Sequence, residues 1–257
     1  MSNIVTPDVW SSARQFTQAR IALGRSGVSL PTSEVLNFSL AHAQARDAVH
    51  LPLDVGGLQT ELGVQGFHVL TVCSAAPDRA TYLRRPDYGR KLSETSRAML
   101  ALERPTRAPE YVFVIADGLS SLAAAHALPL LAELGQLLPD LKQAPIVIAT
   151  QARVALGDEI GHHLGAKQIV MMIGERPGLS SPNSLGLYLT HGPKPGLSDA
   201  NRNCISNVRP EGLNYMEAAH KLAWLMAGAR KLGRSGVDLK DESGSALSQK
   251  QTAALEN

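Results

Sequence analysis

The chain has 257 residues, 44% of them hydrophobic and 19% charged, a composition that supports a buried core and excludes disorder of the bulk of the chain. Its 25 Lys and Arg against 23 Asp and Glu leave a formal charge of +2, and aromatics are only 4%, which excludes a basic stripe or a base-stacking platform for nucleic acid. Two cysteines, far apart, exclude a disulfide framework and a Cys-rich zinc site and point to a reducing cytoplasm; no run approaches the roughly 18 apolar residues that span a bilayer.

Residues 1–14 lack the basic-then-apolar order of a secretory signal. The first fifty residues read as helical. Trp10, Ala13, Phe16 or Thr17, and Ile21 recur at three-to-four spacing, and Gly24 and Gly27 stop that helix. A second helix opens at Pro31 and runs through Val35, Leu36, Leu40 and Ala43 towards Val49. Gly56, Gly57, Gly63 and Gly66 mark a glycine-rich loop. From 67 the pattern changes, with FHVLTVC (67–73) a short β-favouring run. Asp78 is placed to cap a turn before the arginine-rich RRPDYGRKL (84–92), and 89–103 is again helical. Strands at 111–116, 146–150, 169–173 and 185–190 then alternate with helices at 121–138 and 154–164. Residues 214–232 form a last amphipathic helix, with Ala218, Leu222, Leu225 and Ala229 on one face. The predicted fold is α/β, a parallel sheet with helices on both faces. An N-terminal helical segment (1–66) precedes it, the sheet occupies 67–236, and 237–257 is a flexible, polar tail.

Ligands of open parallel sheets sit beyond the carboxyl ends of the strands. Three loops stand there: DGLSS (117–121), TQARV (150–154) and GERPGLSS (174–181). Asp117 and Ser120 either cap the following helix or face a ligand. Glu175, framed by Gly and Pro, either accepts hydrogen bonds from a ligand or pairs locally with Arg176. Cys204 lies in NRNCISNV, a polar segment with little periodicity; with no base beside it in sequence it reads as a buried, unreactive thiol, and Cys73 as core. His162 and His163 are adjacent, so on a helix they point apart and do not chelate together. The common catalytic and phosphate-binding motifs are absent from the sequence. That pattern suits a chain that binds a ligand and leaves the chemistry to another chain. A stand-alone small-molecule transferase using Asp117 or Glu175, and a purely structural subunit, are the alternatives.

Five motifs in order, TQARIALGRSG (17–27), YLRRPDYGRKL (82–92), VIADGLSS (114–121), GERPGLSSPNSL (174–185) and RNCISNVRPEG (202–212), resemble the small subunit, or light chain, of ethanolamine ammonia-lyase. The resemblance covers about residues 9–232. It implies a Rossmann-like cobalamin-binding domain at 67–236 and a carbon–nitrogen lyase that converts ethanolamine to acetaldehyde and ammonia by radical rearrangement with adenosylcobalamin. It implies a large subunit that carries the substrate and the catalytic residues, in an assembly of six large and six small chains. This chain would then hold the nucleotide-tail side of the cofactor through Val154, Glu175 and Cys204, with Arg153 and Ser206 beside them. It would contribute no catalytic residue and no metal ligand. Cobalamin enzymes that ligate cobalt with a protein histidine carry Asp-x-His-x-x-Gly. None of the eight histidines here has that surrounding, so the cofactor is expected to bind base-on, with its own benzimidazole on cobalt. Longer members of the family carry an extension linked to a bacterial microcompartment. Here the first conserved helix begins within about ten residues of Met1, which points to free cytoplasm.

Overall fold

Four apolar runs become adjacent parallel strands because each is shielded on both faces. The computed structural model describes residues 4–244. β1 (Val69–Cys73), β2 (Tyr111–Ala116), β3 (Ile146–Thr150) and β4 (Gln168–Gly174) lie in the order β1-β3-β2-β4, all parallel. Every residue of β2 is buried. Beyond β4 the sheet continues through β5 (Leu185–His191) and β6 (Arg202–Val208), each antiparallel to its neighbour. The expected all-parallel sheet is therefore corrected to four parallel strands and an antiparallel pair. Only ten residues, 175–184, separate β4 from β5. A parallel crossover takes about a dozen or more, so the chain turns straight back. The polar segment around Cys204 is also corrected: it is strand β6, at the sheet edge. Arg202, Ile205 and Val208 are its buried positions, and Cys204, Ser206 and Asn207 are exposed.

The helices are α1 (Thr32–His50), α2 (Val55–Val64), α3 (Arg79–Arg84), α4 (Glu94–Leu102), α5 (Ala127–Leu137), α6 (Leu156–Leu164) and α7 (Tyr215–Leu232). One sheet face packs Phe113, Ile148, Met172 and Leu187 against α2, α5 and α7. The other packs Val112, Val147 and Ile169 against Leu100 of α4 and Ile160 of α6. That second layer ends at β4. Over β5 and β6 it leaves Tyr188 half-buried and Cys204 and Ser206 exposed.

Several local expectations change. The helix anticipated around 10–21 is a single 3-10 stretch, Ser11–Phe16, with no buried residue, so its apolar side gains nothing from this chain. The helix opening after Pro31 is α1, as its sequence predicts. The glycine-rich loop is instead α2. Asp54 caps it by accepting the Gly57 amide at 2.9 Å, and burial of Leu58 and Leu62 offsets the helix-weakening glycines. The helix expected over 89–103 starts at Glu94, capped by Ser93. The helix expected over 121–138 begins as a 3-10 stretch, Ser121–His126, before α5. Asp78 caps α3 through the Thr81 amide, as expected. Of the anticipated tail, 238–244 stay docked. Leu239 packs on the core, its carbonyl accepts from Asn203 at 2.8 Å, and Asp241 pairs with Lys221 at 2.9 Å. Residues 245–257 lie outside the described residues.

Candidate functional site

The carboxyl ends of β2, β3 and β4 are neighbours, so the three loops that follow them meet. Gly118 has φ +52°, and a Cβ there would overlap the Gly174 carbonyl oxygen, while the Leu119 amide donates to that same oxygen at 2.9 Å. Glycine is needed at both positions for the loops after β2 and β4 to cross backbone to backbone. Beside the crossing is a pocket of about 270 Å³, lined among others by Leu119, Arg153, Val154, Glu175 and Tyr188. The structure thus brings Val154 and Glu175 into one pocket. Cys204 joins them through Tyr188, its cross-strand partner on β5. Burial first, then the neighbouring Cys204 and Glu175, push ionisation of the Tyr188 hydroxyl up. The Cys204 sulfur stands 3.4 Å from the Ser206 hydroxyl and is exposed rather than buried. Cys73 is half-buried against Ser93 and Ser96, not enclosed in the core.

The two candidate carboxylates have different duties. Asp117 is buried; it accepts the Gln151 amide at 2.7 Å and the Ala152 amide at 3.0 Å and pairs with Arg79 at 3.3 Å. Burial pushes its carboxyl above the usual range, against the pull of those amides and of Arg79. It caps no helix, and Ser120 donates to the Pro182 carbonyl at 2.7 Å instead of capping. Asp117 is therefore a clamp that ties the loop after β2 to the loop bearing Arg153 and Val154, which removes it as a transferase base. Glu175 makes no ion pair with Arg176 among the described residues. Its Oε2 accepts from the Ser184 hydroxyl and, at 3.2 Å, from the Asn207 amide, while Oε1 accepts no hydrogen bond among the described residues. Gln151 and Asn207 both adopt left-handed backbone, φ +54° and +61°. Such conformations cost about 1 kcal/mol or more in non-glycine residues. Each is held by one of these carboxylates.

Tyr82, fully buried, also lines the pocket, and its hydroxyl donates to the Ala152 carbonyl at 2.9 Å. The Arg79 and Arg153 guanidinium groups flank its ring at 4.7 and 4.4 Å. Burial pushes its ionisation up to about 12, so it remains a neutral donor. Away from the pocket, Asp158 forms a buried two-pronged pair with Arg202, at 2.6 and 2.8 Å.

With this geometry in view, comparison with known proteins is decisive. The model of the ethanolamine ammonia-lyase light chain family matches residues 7–240. The chain belongs to that family. It is 55% identical over 239 residues to a protein of Pseudomonas fluorescens strain Pf0-1 named ethanolamine ammonia-lyase small subunit, covering 91% of this chain and 87% of the relative. Proteins of the same name from Ralstonia nicotianae and Azotobacter vinelandii are each 54% identical, covering 92% of this chain and 90% of each relative. As a member of this family the chain is a subunit of a lyase. None of its described helices is long and apolar enough to cross a membrane.

Sequence reasoning missed Tyr82, Tyr188, Ser184 and Asn207. Tyr188 had a visible signal, a lone phenol in the apolar strand LGLYLTH. Asn207 had none, because its role rests on backbone shape.

Proposed function

We propose that this chain is the small subunit of an adenosylcobalamin-dependent ethanolamine ammonia-lyase, and that residues 67–236 form a Rossmann-like domain holding the nucleotide-tail side of the cofactor against the large subunit. The observation that carries this reading is the meeting of Val154, Glu175 and, through Tyr188, Cys204 along one edge of the sheet. The residues suit such a group. Glu175 Oε1 is without a hydrogen bond among the described residues and can accept one from an amide or hydroxyl. Arg153 Nε is buried without a partner. Among the described residues, no helix covers the face of β5 and β6 beside them. At about 270 Å³ the pocket is below the ~300–1,000 Å³ that encloses a drug-sized ligand, so it can grip only part of a corrinoid and leaves the rest to another chain.

Bound adenosylcobalamin would supply the radical that rearranges ethanolamine to acetaldehyde and ammonia. The residues here bind and orient. Val154 is an apolar wall, Glu175 an acceptor held in place by Ser184 and Asn207, and Cys204 a small soft surface that does not react. Arg153 and Ser206 border them. The cofactor would bind base-on, with its own benzimidazole on cobalt. Residues 4–66, whose helices are α1 and α2, precede the sheet domain, six large and six small chains make up the assembly, and the assembly resides in the cytoplasm.

The test mixes the purified chain with cobalamin, with and without the large subunit, followed by gel filtration and corrin absorbance. The reading expects retained corrin, and acetaldehyde from ethanolamine, only in the mixture. Acetaldehyde production by this chain alone, or a mixture that retains no corrin, overturns it.

A further inference from the structure

We infer that the N-terminal arm, residues 4–50, is a docking element for the large subunit and forms one continuous contact surface with the rim of the cofactor pocket. This rests on the proposed function and names which part of the chain the partner grips. The arm displays large apolar side chains with little cover among the described residues, among them Val9, Trp10, Phe16, Leu36 and Leu40; Trp10 is 71% exposed and Phe16 83%. In α1, nineteen residues long, only Ala41 and Ala48 are buried. A helix with apolar residues around much of its circumference is one that something else covers.

The arm's attachments say what covers it. Its end is pinned at the carboxyl edge of the sheet: the Val49 carbonyl accepts from Arg79 at 2.7 Å and the Leu51 carbonyl from Ser121 at 2.8 Å. Its middle touches the loop after Glu175, where Ser180 donates to the Gln18 carbonyl at 3.4 Å. Arg79 also pairs with Asp117, and Ser121 follows the Gly118 crossing, so the arm leaves the body of the protein from the elements that build the pocket. A chain that closes the pocket from outside must run along the arm. A second copy of this chain pairing through the arm would instead set rim against rim and block that closure. Residues 4–50 hold four Arg against three Asp and Glu, so the partner's matching surface is apolar and close to neutral, and the contact should resist salt.

The test uses full-length chain with Leu36→Glu and Leu40→Glu together, and a milder pair, Leu36→Ala and Leu40→Ala. Both leucines are exposed, so the unfolding transition of the isolated chain should stay at the parent value, which shows that each variant folds. Affinity for the large subunit, measured by sedimentation at low and high salt, should fall on the order of a hundredfold for the glutamate pair and less for the alanine pair. Parent complex should persist at high salt. Unchanged affinity in both variants, with parent complex intact and retaining corrin, overturns this inference and leaves the functional reading standing. Loss of a self-dimer with large-subunit binding unchanged assigns the arm to a second copy and likewise overturns it. A parent chain that never binds the large subunit defeats the functional reading, and this inference with it.

Discussion

Strand β2 and helix α1 use similar residues to opposite ends. YVFVIA in β2 is buried at every position, between β3 and β4 and under two helical layers. The stretch VLNFSL in α1 is as apolar at four of six positions, yet Val35, Leu36, Phe38 and Leu40 are all exposed. Hydrophobicity drives burial, but it does not say in which chain the burial partner lies. In β2 the partner is internal and the residues stabilise the fold. In α1 the described residues supply little cover, and the proposed docking assigns the same residue types to assembly.

Mutation can break this contrast in order of size. Phe113→Ala in β2 should cost about 3–5 kcal/mol of unfolding free energy, because a fully buried ring leaves a cavity. Leu40→Ala in α1 should stay within about 0.5 kcal/mol. Denaturant unfolding of the two full-length variants reads both, and similar losses would erase the distinction between the regions.

The loop clamp comes next. Asp117→Asn keeps the shape but gives up charge toward two amides and Arg79, and should cost about 1–3 kcal/mol. Cobalamin affinity of the complex should fall too, because Val154 sits on the loop that Asp117 holds. A stability loss with unchanged cofactor affinity would separate the clamp from the site.

A smaller effect follows from His126, packed between the sheet and α7 with its Nδ1 2.7 Å from the Tyr215 hydroxyl. Burial holds its pKa below the ordinary 6.5. The folded chain thus takes up this proton less readily than the unfolded chain. Its contribution is complete above the ordinary value and is lost as pH falls through it toward the depressed one. Unfolding free energy should decline below about pH 6.5, and His126→Gln should flatten that slope. An identical slope in the variant would contradict the assignment.

The smallest change is expected at Cys204. Cys204→Ser should leave turnover of the complex within an order of magnitude at saturating cofactor. Complete loss in an assembled, cofactor-loaded complex would show a chemical role.

The parts of the fold legible in the sequence are those whose own residues carry the pattern. β2, β3 and β4 announce themselves as continuous apolar runs, and Asn214 marks the start of α7 by accepting the Glu217 amide. β6 was hidden because its polar residues find partners distant in sequence: Arg202 on Asp158, Asn203 on Gly236 and Leu239. α2 was hidden because three of its ten residues are glycine and only burial of Leu58 and Leu62 decides in favour of helix. The direction of β5 was available in principle from the ten-residue connection before it. At the candidate site, the resemblance supplied Val154, Glu175 and Cys204 as positions. The left-handed Gln151 and Asn207, each held by a carboxylate across the chain, are tertiary facts that no local pattern carries.

The central claim is that Glu175 offers a fixed acceptor to the cofactor, and equilibrium cobalamin binding to assembled complex bearing Glu175→Ala tests it most directly. A hydrogen bond to a charged group contributes about 1.5–3 kcal/mol, so affinity should fall roughly ten- to a hundredfold while ethanolamine affinity at saturating cofactor is unchanged. Cobalamin affinity at the parent value, in a complex that remains assembled, would contradict the account.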